Sequence, residues 1–162
     1  MTDKPLAPLP AGAADPLSEF RTVQAVEFGP MVDRAALGDW IPCTYMHTQK
    51  RGERRQNVHT FRMGSRLFTL WGTYQLDGIV RALRPGSSYI AIKYLGKQEN
   101  GQGNETHTFD VRRADNMSTE KRGQIEQKFA AQMRVFGDAI DLARATGRND
   151  VPPPHDDFDF PG

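Results

Sequence analysis

The sequence predicts a mostly-β domain with helices appended, and three observations lead there. Between residues 40 and 113, short runs rich in aromatic and β-branched residues alternate with glycine-bearing turns. One interruption, residues 73–83, changes to helical spacing. A longer amphipathic pattern, residues 118–147, follows the last run.

The elements can be taken in order. Residues 1–19 are rich in Ala and Pro, with few large apolar groups to offset the entropy of ordering, and are expected to be disordered. TVQAVEF (22–28) alternates imperfectly and suggests a short strand. WIPCTYMHT (40–48) reads as a strand with Pro42 near its start, where an edge strand tolerates it. KRGERRQ (50–56) is a charged turn, and NVHTFRM (57–63) and RLFTLWG (66–72) follow as strands joined by a tight Gly64-Ser65 hairpin. Leu76, Ile79, Val80 and Leu83 then recur at helical spacing until RPG stops the helix after about three turns. SSYIAIKYLGK (87–97) and ETHTFDVRR (105–113) complete the set across a glycine- and asparagine-rich loop.

Strand, strand, strand, helix, strand, strand is the order of the OB-fold, a five-stranded Greek-key barrel. The expected organisation is a barrel domain over residues 20–115, an amphipathic helix over 118–147 and a tail over 148–162. Ile90, Ile92, Phe109 and Val111 are expected in the barrel core. In the C-terminal helix, Ser118 or Thr119 caps the start, Gly147 ends it, and Ile125, Phe129, Met133, Phe136, Ile140 and Ala143 form one apolar stripe. That stripe is expected to cover an open face of the barrel; the alternatives are a second copy, giving a homo-oligomer, or another partner.

Composition narrows the function classes. The chain of 162 residues has room for one domain plus tails, with no run of the roughly 20 apolar residues that cross a bilayer. Its start lacks a basic and an apolar export region, so a cytoplasmic location is expected. Cys43 is the one cysteine, so no internal disulfide is possible. The net charge of +1 conceals a segregation: residues 34–113 carry thirteen Lys/Arg against six Asp/Glu, while both flanks are acidic. A basic body suits a polyanionic partner, because neutralising phosphates releases counterions.

Catalytic signatures are missing from the sequence: it has no G-x-S-x-G, no G-x-x-x-x-G-K-[ST] and no H-E-x-x-H. The expectation is a non-enzymatic protein without a cofactor. Cys43, His47, His59 and His107 supply four zinc-type ligands, and Cys43 and His47, four apart on one strand, should share a face; half-buried packing is the commoner fate of such histidines.

Nucleic-acid binding accounts for the charges better. OB-folds hold oligonucleotides across their second and third strands, between the loops that join strands one to two and four to five. Lys50, Arg51, Arg54 and Arg55 fall on the first loop, Arg62, Arg66 and Lys93 on strands, and Lys97 at the start of the second loop. All eight are assigned to phosphates. Most aromatic residues must fill the core, and Tyr45, Trp71 and Tyr89 are assigned to bases by strand alternation.

The stretch RLFTLWGTYQLDGIVRALRPGSSYIAIKYLGKQENGQGNETHTFDV resembles a pattern in small phage and mobile-element proteins related to single-stranded-DNA-binding OB-folds. The resemblance covers roughly residues 40–113 and implies single-stranded DNA binding in replication or recombination. The tail DDFDF is similar to the acidic, aromatic tip with which that family docks repair and replication enzymes. It implies partner docking by Asp156, Asp157, Phe158, Asp159 and Phe160, although Pro161 and Gly162 follow here. The rival expectations are a phage or plasmid interaction module acting on a host enzyme, and an RNA-binding OB-fold.

Overall fold

A β-strand buries one face through period-two alternation, and five such segments assemble here into one antiparallel sheet. In the computed structural model, which describes residues 16–17, 20, 28–99, 103 and 105–147, they are β1 (Ile41–Arg51), β2 (Gln56–Met63), β3 (Arg66–Trp71), β4 (Tyr89–Glu99) and β5 (Glu105–Ala114). The spatial order is β3-β2-β1-β4-β5. Three hairpin-connected strands with the fourth returning beside the first make a Greek key.

β1 serves two partners. Residues Ile41–Thr44 pair with β4, and Thr44–Arg51 pair with β2. Just before β4 begins, the Tyr45 amide donates to the Ser88 carbonyl (3.0 Å) and its carbonyl accepts from Gly86 (2.8 Å). A bulge between Tyr45 and His47 lets the strand bend at this change of partner.

The connection from β3 to β4 carries α1 (Tyr74–Val80), capped by the Thr73 hydroxyl, which accepts from the Leu76 amide (3.1 Å). It is shorter than the spacing predicted, because the chain leaves the helix for turns after Val80; Leu76, Val80 and Leu83 are nevertheless buried. The C-terminal pattern also departs from expectation. It forms two helices, α2 (Thr119–Lys128), capped by Ser118, and α3 (Ala130–Thr146), ended by left-handed Gly147. The break falls at Phe129, whose φ of −104° and ψ of 16° lie outside the helical well.

α3 covers the sheet. Phe136, Ile140 and Ala143 join the core, and Phe136 meets Phe68 edge-on at 4.7 Å, with Phe68 stacked on Phe61 at 5.4 Å. α2 buries no residue of its own. Ile90, Ile92 and Phe109 are core residues as expected, and Val111 packs against them partly buried.

The sheet is not closed into the expected barrel. No ladder joins β3 to β5, and one residue on each edge finds its peptide partners elsewhere. On β5 the outward-facing peptide groups of Phe109 bond the Gln75 side chain, N–H to Oε1 at 2.6 Å and C=O to Nε2 at 2.9 Å. On β3 the Thr69 amide donates to Pro30 (2.9 Å) and its carbonyl accepts from Val32 (3.0 Å), forming a parallel bridge with Met31. Gly29 makes this approach possible, since any side chain there would collide with the Leu67 and Phe68 backbone. The strand expected over 22–28 lies outside the described residues but for Phe28, as do most of 1–19 and all of 148–162. Among the described residues no helix is long and apolar enough to cross a membrane.

Candidate nucleic-acid interface

The β1–β2 turn gathers four of the assigned cations. Gly52 (φ 78°) and Arg55 (φ 54°) take left-handed conformations, and the Arg55 amide closes the turn on the Gly52 carbonyl (3.1 Å). Arg54 and Arg55 are exposed at this tip beside Glu53. Lys50 Nζ donates to Asn57 Oδ1 (3.0 Å), and the Arg51 guanidinium lies over the Phe28 ring at 5.0 Å. The turn is therefore a compact cationic projection.

The other cations are dispersed. Arg62 is exposed on β2, facing away from the core side that holds Phe61 and Met63. Arg66 has the parity of Phe68 and points the other way. It lies over Gly137 of α3 and pairs with Asp141 (3.4 Å), on the α3 side of the sheet and away from Arg62. Lys93 is half-buried, 3.5 Å from Asp39 and 5.9 Å from the centre of the Trp40 ring. Lys97 is exposed within β4, which runs two residues beyond it before the loop begins.

The base-stacking assignments need a larger correction. Tyr45, Trp71 and Tyr89 are 4%, 8% and 5% exposed, so none offers a free ring face. Tyr45 has the parity of Cys43 and sits in the core. Trp71 does face the opposite side of the sheet, where Met31 covers it together with Val58. Tyr89 lies under α2, its hydroxyl donating to Glu126 (3.0 Å) and its ring 4.5 Å from the Arg122 guanidinium. Sequence reasoning missed Trp40, a half-buried indole between Lys93 and Arg112, the latter 5.4 Å away. Its signal was present, because Trp40 precedes inward-facing Ile41 and so must face outward.

The zinc-type residues do not converge. The bulge at Met46 shifts the alternation, so His47 pairs with Thr60 on the outer face while Cys43 is buried in the core. The expectation that they share a face fails for that reason. His59 instead anchors a polar chain: its Nε2 bonds Asp77 Oδ1 and its Nδ1 bonds Thr48 Oγ1, both at 2.7 Å, and Thr48 meets the Tyr45 hydroxyl. Since the carboxylate only accepts, a neutral imidazole donates from Nε2 and accepts from Thr48. Gly72 leaves the room this requires, as a side chain there would strike Asp77 and His59. His107 bonds the Tyr94 hydroxyl through Nδ1 at 2.6 Å. Among the described residues no group of three or more His, Cys, Asp or Glu is placed to hold a metal.

The residues assigned to partner docking, Asp156, Asp157, Phe158, Asp159 and Phe160, lie outside the described residues. No family model, curated protein or solved structure matches the chain.

Proposed function

We propose that this chain is a non-enzymatic, OB-fold protein that binds single-stranded DNA through its β1–β2 turn, with an acidic C-terminal tail that docks a protein partner. The observation that carries the reading is that turn, a projection of Lys50, Arg51, Arg54 and Arg55 in the connection between the first two strands, one of the two loops with which an OB-fold grips its ligand. The Greek-key order, with a helix between β3 and β4, supports it. Trp40, flanked by two cations, replaces Tyr45, Trp71 and Tyr89 as the residue offered to bases.

Titrating labelled single-stranded DNA, duplex DNA and single-stranded RNA at several salt concentrations tests the proposal. Single-stranded DNA should bind most tightly, and affinity should fall steeply with salt. Replacing Arg54 and Arg55 with Ala should weaken all single-stranded sequences alike and flatten the log–log salt slope by about 1.4, the value for two lost phosphate contacts. A double variant with unchanged slope would remove the turn from the interface.

One observation favours a second reading. Met31 covers Val58 and Trp71, on the face where an OB-fold would receive bases. An interaction module would keep its affinity for a protein partner while binding none of the three nucleic acids.

A further inference from the structure

The start of β4 and the end of β5 enclose, with the first turn of α2, a cleft of about 380 Å³. Its walls are polar and cationic: Arg84, Arg113 and Arg122, with Ser88, Asp115 and Asn116 between them. Three guanidinium groups would repel one another unless an anion shared them, and only one carboxylate is present in the lining. Asp115 takes the Nε of Arg113 (3.2 Å), whose NH1 donates to the Ala82 carbonyl (2.8 Å).

The other two guanidiniums are not so engaged. Arg84 makes no side-chain hydrogen bond or ion pair among the described residues. Arg122 is held over the Tyr89 ring at 4.5 Å, and its Nε, shielded from solvent, has no hydrogen-bond partner. A buried donor of this kind calls for an acceptor that the described residues do not supply. Ser88 is 8% exposed and its Oγ accepts from the Arg84 amide (2.8 Å), leaving its hydroxyl hydrogen for another acceptor. Glu126, the carboxylate one helical turn from Arg122, is engaged by Tyr89.

We infer that this cleft binds a phosphate monoester; that it belongs to a nucleotide, free or at the end of a strand, rests on the proposed function. Within the lining, three guanidiniums against Asp115 leave a surplus of two, which Glu126 beyond Tyr89 offsets in part, and a monoester near −2 gains more from that surplus than a backbone diester of −1. Guanidinium forks suit phosphate oxygens, and the volume falls in the range of small-ligand sites, enough for a phosphate with its sugar. The site is separate from the β1–β2 turn and does not depend on strand binding there.

Amide shifts of the full chain, titrated with thymidine 5′-monophosphate and with thymidine at matched ionic strength, test the inference. The monophosphate should move the amides of Ser88 and Asn116, and thymidine should not. Arg84→Gln, which breaks no side-chain bond among the described residues, should weaken the monophosphate about tenfold, the factor one charge-assisted contact supplies. Arg84→Lys, keeping the charge without the fork, should recover part of the loss. Still amides at Ser88 and Asn116, or an Arg84→Gln chain that binds as well as its parent, would overturn it. A 5′-phosphorylated oligonucleotide that outbinds its 5′-hydroxyl counterpart identifies the source as a strand end, and equal affinities identify a free nucleotide. Loss of oligonucleotide binding with monophosphate binding intact would count against the β1–β2 turn alone.

Discussion

Trp40 and Trp71 have the same side chain, and burial separates what each can do. Trp71 is covered by Met31, while Trp40 keeps part of its ring in solvent between Lys93 and Arg112. A stacked base contributes about 1–3 kcal/mol, so Trp40→Ala should cost that much in strand affinity with little loss of stability. Trp71→Ala should do the reverse, lowering the melting temperature through a core loss of about 3–5 kcal/mol. Unaltered affinity in a folded Trp40→Ala chain would exclude the indole from the interface. Burial acts differently on Cys43 and Tyr89. It pushes the Cys43 thiol far above its ordinary range, and burial followed by the Glu126 hydrogen bond does the same to the Tyr89 hydroxyl. The unfolded chain ionises these groups near about pH 8.5 and 10 while the folded chain keeps both protons. Above those values the folded state binds more protons, so the stability these sites contribute is complete below about pH 8 and declines as pH rises past 9. Melting temperatures from pH 7 to 11 should show the decline, and Cys43→Ala should make its onset shallower; an unchanged profile would mean that the thiol is open to solvent.

At the scale of elements, what could be read from the sequence was what is local. Each hairpin announced itself through alternation and a glycine turn, so β1 to β5 fall close to the predicted runs, while α1 stops at Val80, short of RPG. The errors share a cause in tertiary contacts. The bulge at Met46 exists because β1 must leave β4 for β2, and this inverted the face of His47 relative to Cys43. The break at Phe129 is invisible to a stripe that continues through it, and it separates a helix packed on Phe68 from one that buries none of its own residues. The cations near the turn were legible because charge there is contiguous; the cleft of Arg84, Arg113 and Arg122 was not, since three distant segments meet in it. The edge of β5 yields a test. Gln75 replaces a neighbouring strand by bonding both peptide groups of Phe109, so Gln75→Leu would leave two half-buried polar groups unmet. The cost should be about 1–3 kcal/mol, with faster amide exchange at Phe109 than elsewhere on β5. Equal protection at Phe109 in the variant would show that the strand edge needs no such partner.

Across the whole molecule, the charge pattern matters more than the total, because the basic body and the acidic end belong to one chain. In the sequence, Asp156, Asp157 and Asp159 follow a run of three prolines and alternate with Phe158 and Phe160. Such a peptide suits an anchor in which the phenylalanines fill a pocket and the aspartates meet a basic rim, so that one or two residues carry the binding energy. On the proposed reading the same aspartates would compete with phosphate for the cations at Arg54 and Arg55. Deleting residues 151–162 should therefore abolish recruitment of a partner and raise strand affinity up to about fivefold, the range of exposed ion pairs. The rise must depend on salt. At about 0.15 M the screening length is near 8 Å, and by 1 M it is about 3 Å, where the deleted and full chains should bind alike. A gain that persisted at 1 M would point to steric rather than electrostatic blocking by the tail. Loss of strand binding on deletion would make the peptide part of the fold, and an unchanged partner affinity would place docking on the exposed Val135 and Leu142 of α3 instead.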